Sequence, residues 1–210
     1  MNTSTWEIDL IVLVADTCMK AALQTLLSLR YDSLGIREIH FEIHKHQRHD
    51  PGCYHESPEF LRGYLSRAKY CLVVFDREGS GQESSTADEI TIDLRKRLSE
   101  SGWRNRAEVV VITPELESWI WSDSPNVDRA LGWDGRDPSL REWLRGRGQL
   151  LEGEIKPRAP KQAVEDALRE VGIPRSSSIY AELAKKVGLQ RCQDPAFHRL
   201  REILRSWFPE

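Results

Sequence analysis

Four short apolar runs, each followed by a stretch of helical spacing, set the narrowest limit on what this chain can fold into. The first, IDLIVLV (8–14), is a nearly unbroken series of Leu and β-branched residues, the pattern of a strand buried on both faces. DTCMKAALQTLLSLR (16–30) then places Met19, Leu23, Leu26 and Leu27 on one helical side, with Asp16 or Thr17 as N-cap. REIHFEI (37–43) alternates as a second strand, and residues 44–57 read as a polar loop. SPEFLRGYLSRA (57–68) opens with Ser-Pro, a helix start, before a third strand, YCLVVF (70–75). TADEITIDLRKRLSESG (86–102) is an amphipathic helix, AEVVVIT (107–113) a fourth strand, and PELESWIW (114–121) the start of another helix.

Strands alternating with helices call for right-handed crossovers and a parallel sheet. The expected fold is α/β: four parallel strands with helices on both faces over 1–125, and 8–14, 70–75 and 107–113 central. Beyond residue 125 only helical segments are expected, near 138–147, 160–172, 178–187 and 195–207, with LLEGEIKPRAP (150–160) as linker. The division is an α/β domain at 1–125 and a helical extension at 126–210 packed on it.

Composition fits a soluble globular chain of 210 residues, with 40% apolar and 30% charged residues. No apolar run is long enough for a membrane span, and MNTSTWEIDL lacks the basic and apolar parts of a signal peptide. Cys18, Cys53, Cys71 and Cys192 are widely spaced, which argues against a disulfide framework and for a reducing cytoplasm. The net charge is −3, acidic before residue 125 and mildly basic after it. Arginines of the second part, among them Arg136, Arg141, Arg145 and Arg147, are candidates for phosphate contacts, although a solvated surface accounts for them as well.

In an open parallel sheet the loops at the carboxyl ends of the strands build the site. Three of those ends carry acids: Asp16, then Asp76-Arg77-Glu78, then Glu115 and Glu117. Asp76 and Glu78 are two apart and would point the same way on an extended chain. Clustered carboxylates repel unless protonated or bridged, and a hard cation such as Mg²⁺ or Mn²⁺ accepts them. Asp76, Glu78, Asp16 and Glu115 are therefore the candidate metal ligands, and Asp76, Glu78 and Glu117 the candidate catalytic acids. Each has a simpler reading: Asp76 closing a turn with Gly79, and Glu115 and Glu117 favouring a helix N-terminus. Arg77, His46, Arg48 and His49 are the candidate substrate-binding cations. Residues 40–55 hold five of the six histidines and Cys53, which are zinc-ligand types, but their spacing matches no standard finger. Trp119, Trp121, Trp133, Trp143 and Trp207 are core candidates before they are base-stacking ones.

The element order, with VVFDREGSG closing strand three, resembles the Toprim fold of topoisomerases, primases, OLD-family nucleases and several bacterial anti-phage proteins. PELESWIWSDSP resembles the Pro-x-x-Glu-x-Trp element of small RloB-like Toprim-related defence proteins, and RCQDPAFHRLREIL resembles their close. Together with HDPGCY, these motifs are similar to a component of methylation-associated anti-phage systems. The resemblance implies a metal-dependent nuclease or phosphoryl-transfer component, or else a non-catalytic Toprim-like subunit. The implied partners are nucleic acid and other proteins of a defence system, with further copies of the chain where it assembles, and no membrane. Toprim enzymes carry Glu after strand one and Asp-x-Asp after strand three. Here those places hold Ala15-Asp16 and Asp76-Arg77-Glu78.

Overall fold

The computed structural model describes residues 6–122, 124–186, 188, 192 and 194–210. The first five residues, position 123 of PELESWIWSDSP, positions 191 and 193 of RCQDPAFHRLREIL, and residue 187 at the end of one expected helix lie outside the described residues.

The sheet has four strands, β1 (Ile8–Val14), β2 (Phe41–Lys45), β3 (Ala68–Asp76) and β4 (Ala107–Ile112), in the order β2-β1-β3-β4. All pairs are parallel, with Val14 opposite both Lys45 and Val74, and Asp76 opposite Ile112. β1 and β3 are central, and their continuous burial explains their unbroken apolar runs. β4 is an edge strand, not a central one as its equally apolar run suggests. Its burial comes from helices packed against it and from Arg199, which donates to the free carbonyl of Val109 at 3.3 Å. Arg199 also pairs with Glu108 at 3.1 Å, so a charged side chain blunts this edge.

α1 (Thr17–Leu29) begins where the Asp16 carboxylate accepts the Met19 N–H at 2.7 Å. A four-residue turn, α2 (Tyr31–Leu34), precedes β2. The chain enters β2 later than its alternation suggests, because Asp9 accepts the His40 N–H at 3.0 Å and pairs with Arg37 at 2.9 Å. These contacts hold residues 37–40 beside β1 before regular pairing starts at Phe41.

α3 (His49–Arg62) replaces the expected polar loop and absorbs the expected later helix. Pro58 lies in its middle, not at its start. A proline there frees the carbonyl four residues back, and the freed Tyr54 oxygen accepts from Arg97 Nη1 at 2.9 Å. That donor comes from α4 (Ala87–Leu98), which starts in a capping box between Thr86 and Glu89. The expected helix after β4 is instead a single 3₁₀ turn, Leu116–Trp119.

The remaining described elements are α5 (Pro125–Ala130), α6 (Leu140–Gly146), α7 (Pro160–Val171), α8 (Ser177–Lys186) and α9 (Pro195–Trp207). α8 lies along α1, where Arg30 donates to the Ala184 carbonyl at 3.2 Å. α9 is capped by Asp194 and buries Phe197, Leu200, Ile203 and Leu204. The tryptophans serve packing: the indoles of Trp119, Trp121 and Trp133 donate to Asp194, Pro160 and Ala167, and Trp207 stacks on Tyr70 with centroids 4.6 Å apart. Trp143 lies against Trp133, their centroids 4.9 Å apart. Among the described residues, no helix is long and apolar enough to cross a membrane.

Candidate functional site

Strand order reverses between β1 and β3, and in open parallel sheets a ligand crevice is expected at the carboxyl ends of such a pair. Asp76 ends β3 there. Its Oδ1 is shielded from solvent and has no hydrogen-bond partner among the described residues. Burial raises its pKa well above the usual carboxylate range, and the charges of Asp50, Glu117, Asp16 and Glu115 push it further in the same direction. Four other carboxylates thus act on one buried oxygen at the switch point.

Asp50 is absent from the acids read off the strand ends. It lies in the first turn of α3, and its Oδ1 accepts the backbone N–H of Asp76 at 2.9 Å. Burial raises its pKa too. The only local signal for it is an acid just ahead of Pro51-Gly52, where it suits a helix N-terminus.

The carboxylates of Asp16, Glu115 and Glu117 have partners. Asp16 holds the Met19 N–H, and the buried Ala15 beside it offers no carboxylate. Glu115 Oε1 accepts the Lys161 N–H at 2.9 Å, satisfying a donor in the first turn of α7, and burial raises its pKa. Glu117 is only 1% exposed and accepts from Arg175 at 2.8 Å and from the Tyr180 hydroxyl. Tyr180 is itself buried, and its pKa is raised, first by burial and then by the Glu117 charge. Glu78 is exposed, and its N–H donates to the Pro114 carbonyl at 3.1 Å, extending the strand-to-strand pairing past Asp76.

The expected substrate cations separate in the same way. Arg77 donates to the carbonyls of Ser85 (2.8 Å) and Glu83, bracing the loop that contains Gly79 and Gly81. His46 is 6% exposed: its Nδ1 accepts the Arg48 N–H at 3.1 Å and its Nε2 faces Glu56 at 3.4 Å. Burial lowers its pKa, so it is a neutral packing group at pH 7. Gly52 exists to admit that ring: a Cβ there would meet His46 Nδ1 at 1.9 Å. Arg48 pairs with Glu56, and His49, exposed with φ 49°, opens α3.

Of the basic residues after position 125, Arg136 and Arg147 lie over Trp133 and Trp143. Arg141 holds the Ser122 and Ile155 carbonyls, and Arg145 faces Glu152 at 3.4 Å. The four are tied into the helical region by these contacts.

Four carboxylates act on Asp76, and an orphaned buried carboxylate oxygen fits a hard divalent cation. Among the described residues, no three His, Cys, Asp or Glu side chains already stand at ligating separation, so a cation would have to draw these carboxylates together. No family model, curated protein or solved structure matches the chain.

Proposed function

We propose that the carboxyl edge around Asp76 binds Mg²⁺ or Mn²⁺ and supports phosphoryl transfer on nucleic acid. The observation that carries this is the buried Asp76 Oδ1, without a partner among the described residues, at the switch point of a parallel sheet. A divalent ion held there would supply charge neutralisation for a phosphoryl oxygen and a more acidic bound water. The protein's part is to orient the ion through Asp76, with Asp16 and Glu78 beside it. Arg77 fixes the Gly-Ser loop that borders the opening. Glu115 and Glu117 are anchored by Lys161 and Arg175 and contribute charge to the crevice. The reading includes a Toprim-like domain with helices on both sheet faces and a helical extension, acting in a bacterial anti-phage system beside other proteins. VVFDREGSG and PELESWIWSDSP support that part by their resemblance to such chains. The test is cleavage of DNA and RNA with Mg²⁺ or Mn²⁺, by wild type and by Asp76→Ala. Metal-dependent cleavage that disappears in the variant is expected.

A second reading is a non-catalytic Toprim-like subunit that binds a protein or nucleic acid. The observation favouring it is that Asp16, Glu115 and Glu117 each already hold a backbone donor or an arginine. Metal binding without cleavage of either nucleic acid, alone or with the partner proteins, selects this reading.

A further inference from the structure

Asp50 reaches the site from a connection that the strand-end acids do not include. α3 runs from β2 to β3, which are not neighbours, and packs over β1 and β3 on the way. Its first turn therefore comes to the crevice, and the 2.9 Å bond from the Asp76 N–H fixes the Asp50 carboxylate at the end of β3. Gly52 makes this entry possible, because only a residue without Cβ lets the first turn close over His46. Asp50 is also the carboxylate that acts most strongly on Asp76. Two adjoining acids, one with a shielded oxygen that bonds to no described residue, are a poor way to fill a protein interior, since an amide or an apolar side chain would be cheaper.

Resting on the cation reading above, we infer that Asp50 and Asp76 together hold the divalent ion, so that the first turn of α3 supplies the carboxylate absent at Ala15. Asp16 keeps the cap of α1 and adds charge beside the ion, which sits between the carboxyl end of β3 and the first turn of α3. The pair is assembled by a hydrogen bond between the first turn of α3 and the end of β3, instead of along one strand.

The experiment is Mn²⁺ binding by the full chain, read by calorimetry and by the spin resonance of free Mn²⁺. The proteins are wild type, Asp50→Asn, Asp76→Asn and Glu59→Gln, the last an exposed acid on α3. Asparagine keeps an oxygen for the Asp76 N–H, so Asp50→Asn should melt in chelator no lower than wild type. It should lose affinity for Mn²⁺ by at least about tenfold, as should Asp76→Asn, while Glu59→Gln stays near wild type. Wild-type affinity in Asp50→Asn overturns the pair and leaves the cation reading intact. Absence of Mn²⁺ binding in wild type overturns both. If Asp50→Asn fails to fold, wild-type carboxyl resonances decide. Broadening of Asp50 and Asp76 ahead of Asp16 and Glu115 supports the pair, and the reverse order rejects it.

Discussion

The backbone N–H of Asp76 donates to the Asp50 carboxylate at 2.9 Å, while the Asp76 Oδ1 is shielded and bonds to no described residue. One carboxylate is thus satisfied by the other's main chain, and the second is left with burial and like charge. Both pKa values are raised, as is that of Glu115. Below about pH 4 these groups are protonated whether the chain is folded or not. Between there and their elevated folded values only the folded chain keeps the protons. Stability should therefore fall as pH rises through that window and level off above it. In chelator, Asp76→Asn should show a shallower fall and a higher melting temperature than wild type at pH 8. Denaturation from pH 4 to 8 checks this, and parallel curves for the two proteins would reject it.

A divalent ion should reverse that repulsion. At a concentration about a hundred times its Kd, a ligand stabilises the native state by about 2.7 kcal/mol. For a chain of this size that is a rise of about 5–10 °C in melting temperature. Thermal shifts with Mg²⁺ and Mn²⁺ should show it in wild type and not in Asp76→Ala.

Glu117 makes a different prediction because its charge is already answered. Arg175→Met would leave an almost wholly buried carboxylate facing only the Tyr180 hydroxyl. The loss should be about 2–4 kcal/mol, below the extreme for a fully buried pair because Arg175 is partly exposed. Tyr180→Phe should cost about 1–2 kcal/mol. The double variant should lose less than the two losses added, which urea denaturation of the four proteins would measure.

Gly52→Ala drives a methyl group into the His46 ring. It should destabilise by about 1–3 kcal/mol and weaken Mn²⁺ binding as the first turn of α3 shifts. Replacing His46 by Ala in the same chain should restore part of both. Independent effects in the double variant would mean that the two residues do not meet.

The elements that sequence reading finds are those whose cause is local. β1 matches its apolar run, and α9, Pro195–Trp207, matches the segment expected at 195–207. α3 is missed because Pro58 looks like a beginning, and the carbonyl it frees is satisfied by Arg97, arriving from another helix. β4 looks central because one of the helices that cover it, α9, lies some 90 residues later, where Arg199 closes its edge. Asp76 is legible as an acid ending an apolar strand. Asp50 is not, because it stands five residues past β2 and reaches β3 only through the turn that Gly52 permits. Glu117 looks like a free acid for a related reason, since Arg175 lies 58 positions away.

Arg199 on the Val109 carbonyl also bears on how the chain is made. A ribosome that has released β4 has still to synthesise nearly ninety residues before α9 can cover it. Until then, an apolar strand with open main-chain groups is the outermost member of the sheet, the kind of surface on which nascent chains pair with one another. Substitution of Arg199 should accordingly show itself in the soluble yield from rapid expression more than in the melting point of the purified protein.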